Sequence, residues 1–175
     1  FFERDSFLKN IKVSNFVDCH YLLSGIDRVE NCEFINISSQ RPHQLIHLGD
    51  NKLENCIFDT INTKKCLFKL NDNEIRSELN NCTIKNCNID SASEYDLDPP
   101  SLFALNGEGY GNNIPGINII NCYILNNTAR HMIIKDFANY RKNVSYNISI
   151  ENSVFENNVG SFVLDEGELI ISNTV

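Results

Sequence analysis

An apolar residue, any residue and then Asn, followed in most copies by Cys, Ser or Thr, recurs seven times along this chain. The copies are Val13-Ser14-Asn15-Phe16, Val29-Glu30-Asn31-Cys32, Leu53-Glu54-Asn55-Cys56, Leu79-Asn80-Asn81-Cys82, Ile119-Ile120-Asn121-Cys122, Ile150-Glu151-Asn152-Ser153 and Ile171-Ser172-Asn173-Thr174. Self-similarity at this scale constrains the fold strongly. A unit of two dozen residues cannot bury its own apolar face, so it must stack on its neighbours.

Within each copy the apolar period is two. Cys32-Glu33-Phe34-Ile35-Asn36 matches Cys82-Thr83-Ile84-Lys85-Asn86, Cys122-Tyr123-Ile124-Leu125-Asn126 and Ser153-Val154-Phe155-Glu156-Asn157. Alternation of this kind marks a strand with one buried face. A second strand ends at Gly, Asn or Asp in each unit, as in Leu45-Ile46-His47-Leu48-Gly49 and Leu67-Phe68-Lys69-Leu70-Asn71. A third leads into the next Asn, as in Gly116-Ile117-Asn118-Ile119-Ile120.

Spacings between the repeat Asn residues are 16, 24, 26, 40, 31 and 21, so a complete turn needs about two dozen residues and the longer ones carry insertions. The expected fold is all-β: a right-handed parallel β-helix solenoid of about six coils with three short strands per coil, roughly 29 Å long at the usual strand spacing. Its inward ladder would hold Phe34, Phe58, Ile84, Ile124 and Phe155, flanked by Cys32, Cys56, Cys82, Cys122 and Ser153. Asn side chains at the bends would donate and accept between coils. On this phasing Asn81 and Asn126 are expected inside. A β-sandwich also has many short strands, but it does not account for Asn-Cys at one phase of every unit.

The Asn-Cys-x-Phe/Ile-x-Asn coils resemble those of the pectin-lyase-like right-handed β-helix superfamily, including its polymorphic-membrane-protein type of surface repeat. The resemblance spans nearly the whole chain. It implies the architecture, with functions ranging from polysaccharide lyases and hydrolases to tailspikes and adhesins. Phe155-Glu156-Asn157-Asn158 fits the Phe-x-x-Asn element of the surface repeat. The Asp-Asp, Gly-His-Gly and Arg-x-Lys elements of the polygalacturonase-like enzymes do not occur.

At 175 residues the chain reads as a single domain, 1–175, and as part of a longer one, since it opens Phe1-Phe2-Glu3. No apolar run approaches the roughly 18 residues of a membrane span. A formal charge of −8, with Lys and Arg scattered, argues against nucleic acid as the main partner.

The seven cysteines follow the repeat and not a Cys-x-x-Cys spacing, so core packing is expected, with a disulfide involving Cys19, Cys66 or Cys87 left open. His20, His43, His47 and His131 are spread over different coils. Carboxylates gather in Glu94-Tyr95-Asp96-Leu97-Asp98 and Asp165-Glu166-Gly167-Glu168, where solvated turns are expected. No catalytic residue, metal site or cofactor is assigned.

Three insertions, 88–100, 107–116 and 136–146, interrupt the regular units, and loops on a solenoid commonly carry binding. They supply Tyr95, Asp96, Asp98, Tyr110, Tyr140 and Arg141, flat aromatics and hydrogen-bonding groups suited to a carbohydrate or protein surface. Sequons begin at Asn36, Asn81, Asn126, Asn143 and Asn147, with Asn143 and Asn147 the expected acceptors beside an insertion. The expected function is a non-catalytic surface or secreted protein for adhesion or recognition. The alternatives are a cytoplasmic structural spacer in an end-to-end or larger assembly, and a polysaccharide lyase or hydrolase.

Overall fold

The computed structural model describes residues 6–19, 21–40, 45–48, 52–71, 76–90, 100–106, 116–135, 146–163 and 167–175. These form two sheets, and every strand pairing in them is parallel. The seven-stranded sheet takes Phe7–Lys9, Arg28–Glu30, Lys52–Glu54, Arg76–Asn80, Gly116–Ile120, Tyr146–Glu151 and Gly167–Ser172, in chain order across the sheet. Between successive members the chain passes through the thirteen-stranded sheet. One such pass is Ile57–Thr63 followed by Cys66–Asn71.

Register places like residues on one another. Val13, Phe34, Phe58, Ile84, Ile124 and Phe155 form one inward column. Leu8, Val29, Leu53, Leu79, Ile119, Ile150 and Ile171 form a second, and Leu23, Ile46, Phe68, Phe103, Ile133 and Phe162 a third. The three columns meet in one continuous core. Phe34 stacks on Phe58 with centroids 5.1 Å apart, Phe58 meets Phe68 edge-on at 5.1 Å, and Phe68 stacks on Phe103 at 5.0 Å.

Asn makes the bends possible. Asn10, Asn31, Asn55, Asn81, Asn121, Asn152 and Asn173 all hold φ between 48° and 58°, the left-handed region that Asn tolerates better than other non-glycine residues. Their side chains link the layers: Asn31 Nδ2 donates to Asn10 Oδ1 at 3.3 Å, Asn55 to Asn31 at 3.1 Å, Asn81 to Asn55 at 2.6 Å and Asn173 to Asn152 at 3.2 Å. The backbone N–H groups of the first six are used too, as in Asn55 donating to the Asn80 carbonyl.

The first repeat Asn is Asn10 and not Asn15. Asn15 (φ 60°) stacks under Asn36, which donates to it at 2.7 Å, so it belongs to a second left-handed position later in each pass. The first layer is thus 21 residues long, the separation of Asn10 from Asn31, instead of 16. Asn81 and Asn126, expected inside, are exposed. A left-handed residue inserts an extra outward position: Leu53 is buried, Glu54 and Asn55 face out, and Cys56 is buried again.

The second left-handed position holds Asn15, Asn36, Asn86, Asn126 and Asn157, but Thr60 in the third layer, at φ 54°. A β-branched residue is poorly suited to that region. Thr60→Asn should therefore raise stability by about 1 kcal/mol, or roughly 2–4 °C in Tm for a chain of this size. A thermal melt of the two proteins reads the difference, and an unchanged or lower midpoint contradicts the strain argument.

The outward columns change character at the outermost described layers. Phe7, Arg28, Lys52, Glu78, Asn118, Ser149 and Ile170 are aligned, and so are Val17, Ser38, Asn62, Asn88, Thr128 and Val159. The inner layers carry polar residues there. The outermost carry Phe7 and Ile170 (53% and 47% exposed) and Val17 and Val159 (78% and 62%).

Candidate ligand-binding groove

The repeat fixes what can be chemistry and what is packing. Cys32, Cys56, Cys82 and Cys122 continue as Ser153 and Thr174 in one buried or partly buried column. Each thiol or hydroxyl reaches two carbonyls, one two residues before it and one in the preceding layer: Cys82 Sγ lies 3.4 Å from the Asn80 oxygen and 3.5 Å from that of Leu53. Ser153 Oγ donates to Glu151 and Ile119 in the same way, at 2.8 and 3.4 Å. A small donor is what this position needs, which is why Cys, Ser and Thr interchange there.

All seven cysteines are free, Cys19, Cys66 and Cys87 included. Hydrogen bonding to Cys122 and Cys56, together with burial, pushes the Cys82 thiol far above its ordinary range. Burial pushes Cys87 up to about 12. Such thiols are inert, because the thiolate is the reactive species. Alkylation of the native protein at pH 8 should therefore modify Cys19 first, the one cysteine that is not fully buried. All seven should react in denaturant; rapid native labelling of Cys56 or Cys82 contradicts this placement.

A concave polar surface lies at the corner where each pass turns from one half of the thirteen-stranded sheet to the other. It has a volume of about 240 Å³ and draws Ser39 and Gln40 from one layer, Asn62, Thr63 and Lys64 from the next, and Asn88 and Asp90 from the third. The register Ser38–Asn62–Asn88 sets these groups one strand spacing apart. Amide, ammonium and carboxylate groups are thus available side by side.

The same corner holds two buried hydroxyls without a hydrogen-bond partner, on Thr63 and Ser101. A buried orphan hydroxyl is unusual and commonly marks a place for water or ligand. Further along, Ser101, His131 and Ser161 occupy one column, and His131 Nδ1 lies 2.7 Å from Ser161 Oγ. Burial, reinforced by Arg130, holds the imidazole below its usual range and so neutral near pH 7. Among the described residues no three His, Cys, Asp or Glu side chains converge as a metal site would require.

Of the residues expected at a site, Tyr95, Asp96, Asp98, Tyr110, Tyr140, Arg141 and Asn143 lie outside the described residues. Asn147 is described: it is half-buried in the strand Tyr146–Glu151, opposite Gly116. A β-carbon on Gly116 would collide with the Asn147 carbonyl oxygen, so this approach of two strands requires glycine. Of the carboxylates, Glu168 is exposed in the last strand.

Segment 91–99, which carries Tyr95, Asp96 and Asp98, leaves the chain at groove residue Asp90 and rejoins it beside Ser101. Sequence reasoning missed Gln40, Asn62, Lys64 and Asn88. The available signal was the column Ser38, Asn62, Asn88 and Thr128, polar at one phase in four successive layers. Among the described residues no helix is long and apolar enough to cross a membrane. No protein-family model matches the chain, and no curated protein matches it either.

Proposed function

We propose that the chain winds as a right-handed parallel β-helix of about six coils, with three short strands per coil, of the pectin-lyase-like kind. On this scaffold it acts as a non-catalytic surface or secreted recognition module that binds carbohydrate in the corner groove. The observation that carries this reading is the groove itself, with hydrogen-bonding side chains from three layers and the orphan hydroxyl of Thr63 beside them. Sugar hydroxyls both donate and accept, and the exposed carboxamides of Gln40, Asn62 and Asn88 offer both functions at fixed spacing. Lys64 and Asp90 add charge-assisted bonds at the rim.

Titration against a panel of neutral and acidic oligosaccharides tests this. A ligand found there should bind at least about tenfold more weakly to Asn62→Ala/Asn88→Ala, the loss of roughly 1.4 kcal/mol that one or two hydrogen bonds account for. Circular dichroism should remain unchanged, since both side chains face outward. A panel without a binder, or a binder indifferent to the pair, overturns the reading.

A second reading, a structural element within a larger assembly, is favoured by the outermost layers, whose outward columns become apolar at Phe7, Val17, Val159 and Ile170. Exposed apolar clusters of this sort mark contact surfaces. The seven free thiols suit a reducing cytoplasm. Intact mass of the protein from its native source separates the two readings, for a glycan places it outside the cytoplasm.

A further inference from the structure

We propose that Asn126 is an N-glycan attachment site. It heads the sequon Asn126-Asn127-Thr128, and both Asn126 and Thr128 are exposed. Asn126 sits at the outward bend with φ 56°, and its backbone N–H donates to the Glu156 carbonyl at 2.9 Å. Its carboxamide, in contrast, takes part in no hydrogen bond among the described residues. The neighbours that could have engaged it have other partners: Asn86 Nδ2 donates to Asp59 Oδ1 at 2.9 Å, and Asn157 Nδ2 to Glu156 Oε1 at 3.5 Å.

The other described sequons differ. Asn36 Nδ2 donates to Asn15 at 2.7 Å and Asn81 Nδ2 to Asn55 at 2.6 Å, so a sugar there must be built on a nitrogen already joining two layers. Asn147 is half-buried within a strand whose backbone packs against Gly116. Among the described sequons, only Asn126 combines an exposed side chain with a carboxamide outside the hydrogen-bonded ladders.

In the transfer, Asn126 Nδ2 attacks the anomeric carbon of a lipid-pyrophosphate-linked oligosaccharide. The N–C bond forms, the C–O bond to pyrophosphate breaks, one Nδ2 proton is lost and the lipid pyrophosphate departs. The amide keeps its second hydrogen. Every hydrogen bond of the fold is retained.

This inference rests on the surface or secreted reading for its cellular setting, but acceptor competence belongs to the chain. The test is translation of the 175-residue chain behind a cleavable leader with endoplasmic-reticulum microsomes, followed by limited proteolysis and peptide mass mapping. The glycan at Asn126 should appear in the protease-resistant, folded fraction and vanish in Asn126→Gln and in Thr128→Ala. Glycans at Asn36 or Asn81 should concentrate in the digested fraction. An unoccupied Asn126, or an Asn126 glycoform confined to the digested fraction, overturns the assignment. A chain competent in microsomes but unmodified at its native source leaves the acceptor standing and overturns the surface reading.

Discussion

Phe58→Ala should lower the unfolding free energy by about 3–5 kcal/mol, among the largest effects a single truncation has here. Phe58 is fully buried and joins two aromatic columns, lying flat against Phe34 and edge-on to Phe68. In register it stands between Phe34 and Ile84. The hole left by the ring cannot close, because the strands above and below are held one hydrogen-bonded spacing apart along their whole length. Total stabilities of about 5–15 kcal/mol are usual, so the variant should be close to unfolding at 37 °C. Denaturant unfolding followed by far-ultraviolet circular dichroism measures it. Phe155→Ala, half-buried in an outer layer of the same column, should cost about half as much or less. Equal losses at the two positions mean that the layers do not contribute through burial as argued.

The columns of the core were legible in the sequence because every layer repeats the same alternation. Phe34, Phe58, Ile84, Ile124 and Phe155 stand where the period-two pattern put them. The phase of the first layer was not legible. Each pass has two left-handed positions, and both prefer Asn, so Val13-Ser14-Asn15 satisfies the local pattern at the wrong bend. What separates the two is the length of a layer, visible only once Asn10 and Asn31 are seen hydrogen-bonded. Nor does a linear pattern show that a left-handed residue turns outward, which is why Asn81 and Asn126 were expected inside. The groove was hidden for a different reason. Ser39, Thr63 and Asp90 are far apart in sequence and adjacent only through the register of three layers. The insertions that drew attention first are distinctive in composition, whereas the residues that line the groove belong to the regular repeat and look like its solvated face.

Asn127→Ala should cost about 2–4 kcal/mol, well above what an asparagine on this surface contributes, because two buried backbone groups depend on it. Asn127 is fully buried, one residue past the exposed Asn126. Its Nδ2 donates to the Ile84 carbonyl at 3.0 Å, and its Oδ1 accepts the Cys87 N–H at 2.9 Å. Asn158 repeats the arrangement one layer on, with its Nδ2 donating to the Ile124 carbonyl at 2.6 Å and its Oδ1 accepting the Asn127 N–H at 3.0 Å. The second and third layers need no such clamp, since Ile37 and Ile61 place fully buried apolar side chains at the corresponding position. Truncation leaves a carbonyl and an N–H dry and unpaired, with no solvent able to replace the lost amide. Asn81→Gly supplies the comparison: glycine accepts the left-handed φ of 53°, so only an exposed side-chain bond to Asn55 is lost, about 0.5–1.5 kcal/mol. Two chemical-denaturation curves decide the matter. If Asn127→Ala proves no worse than Asn81→Gly, then water reaches Ile84 and Cys87, and the later layers are not held together by buried amides.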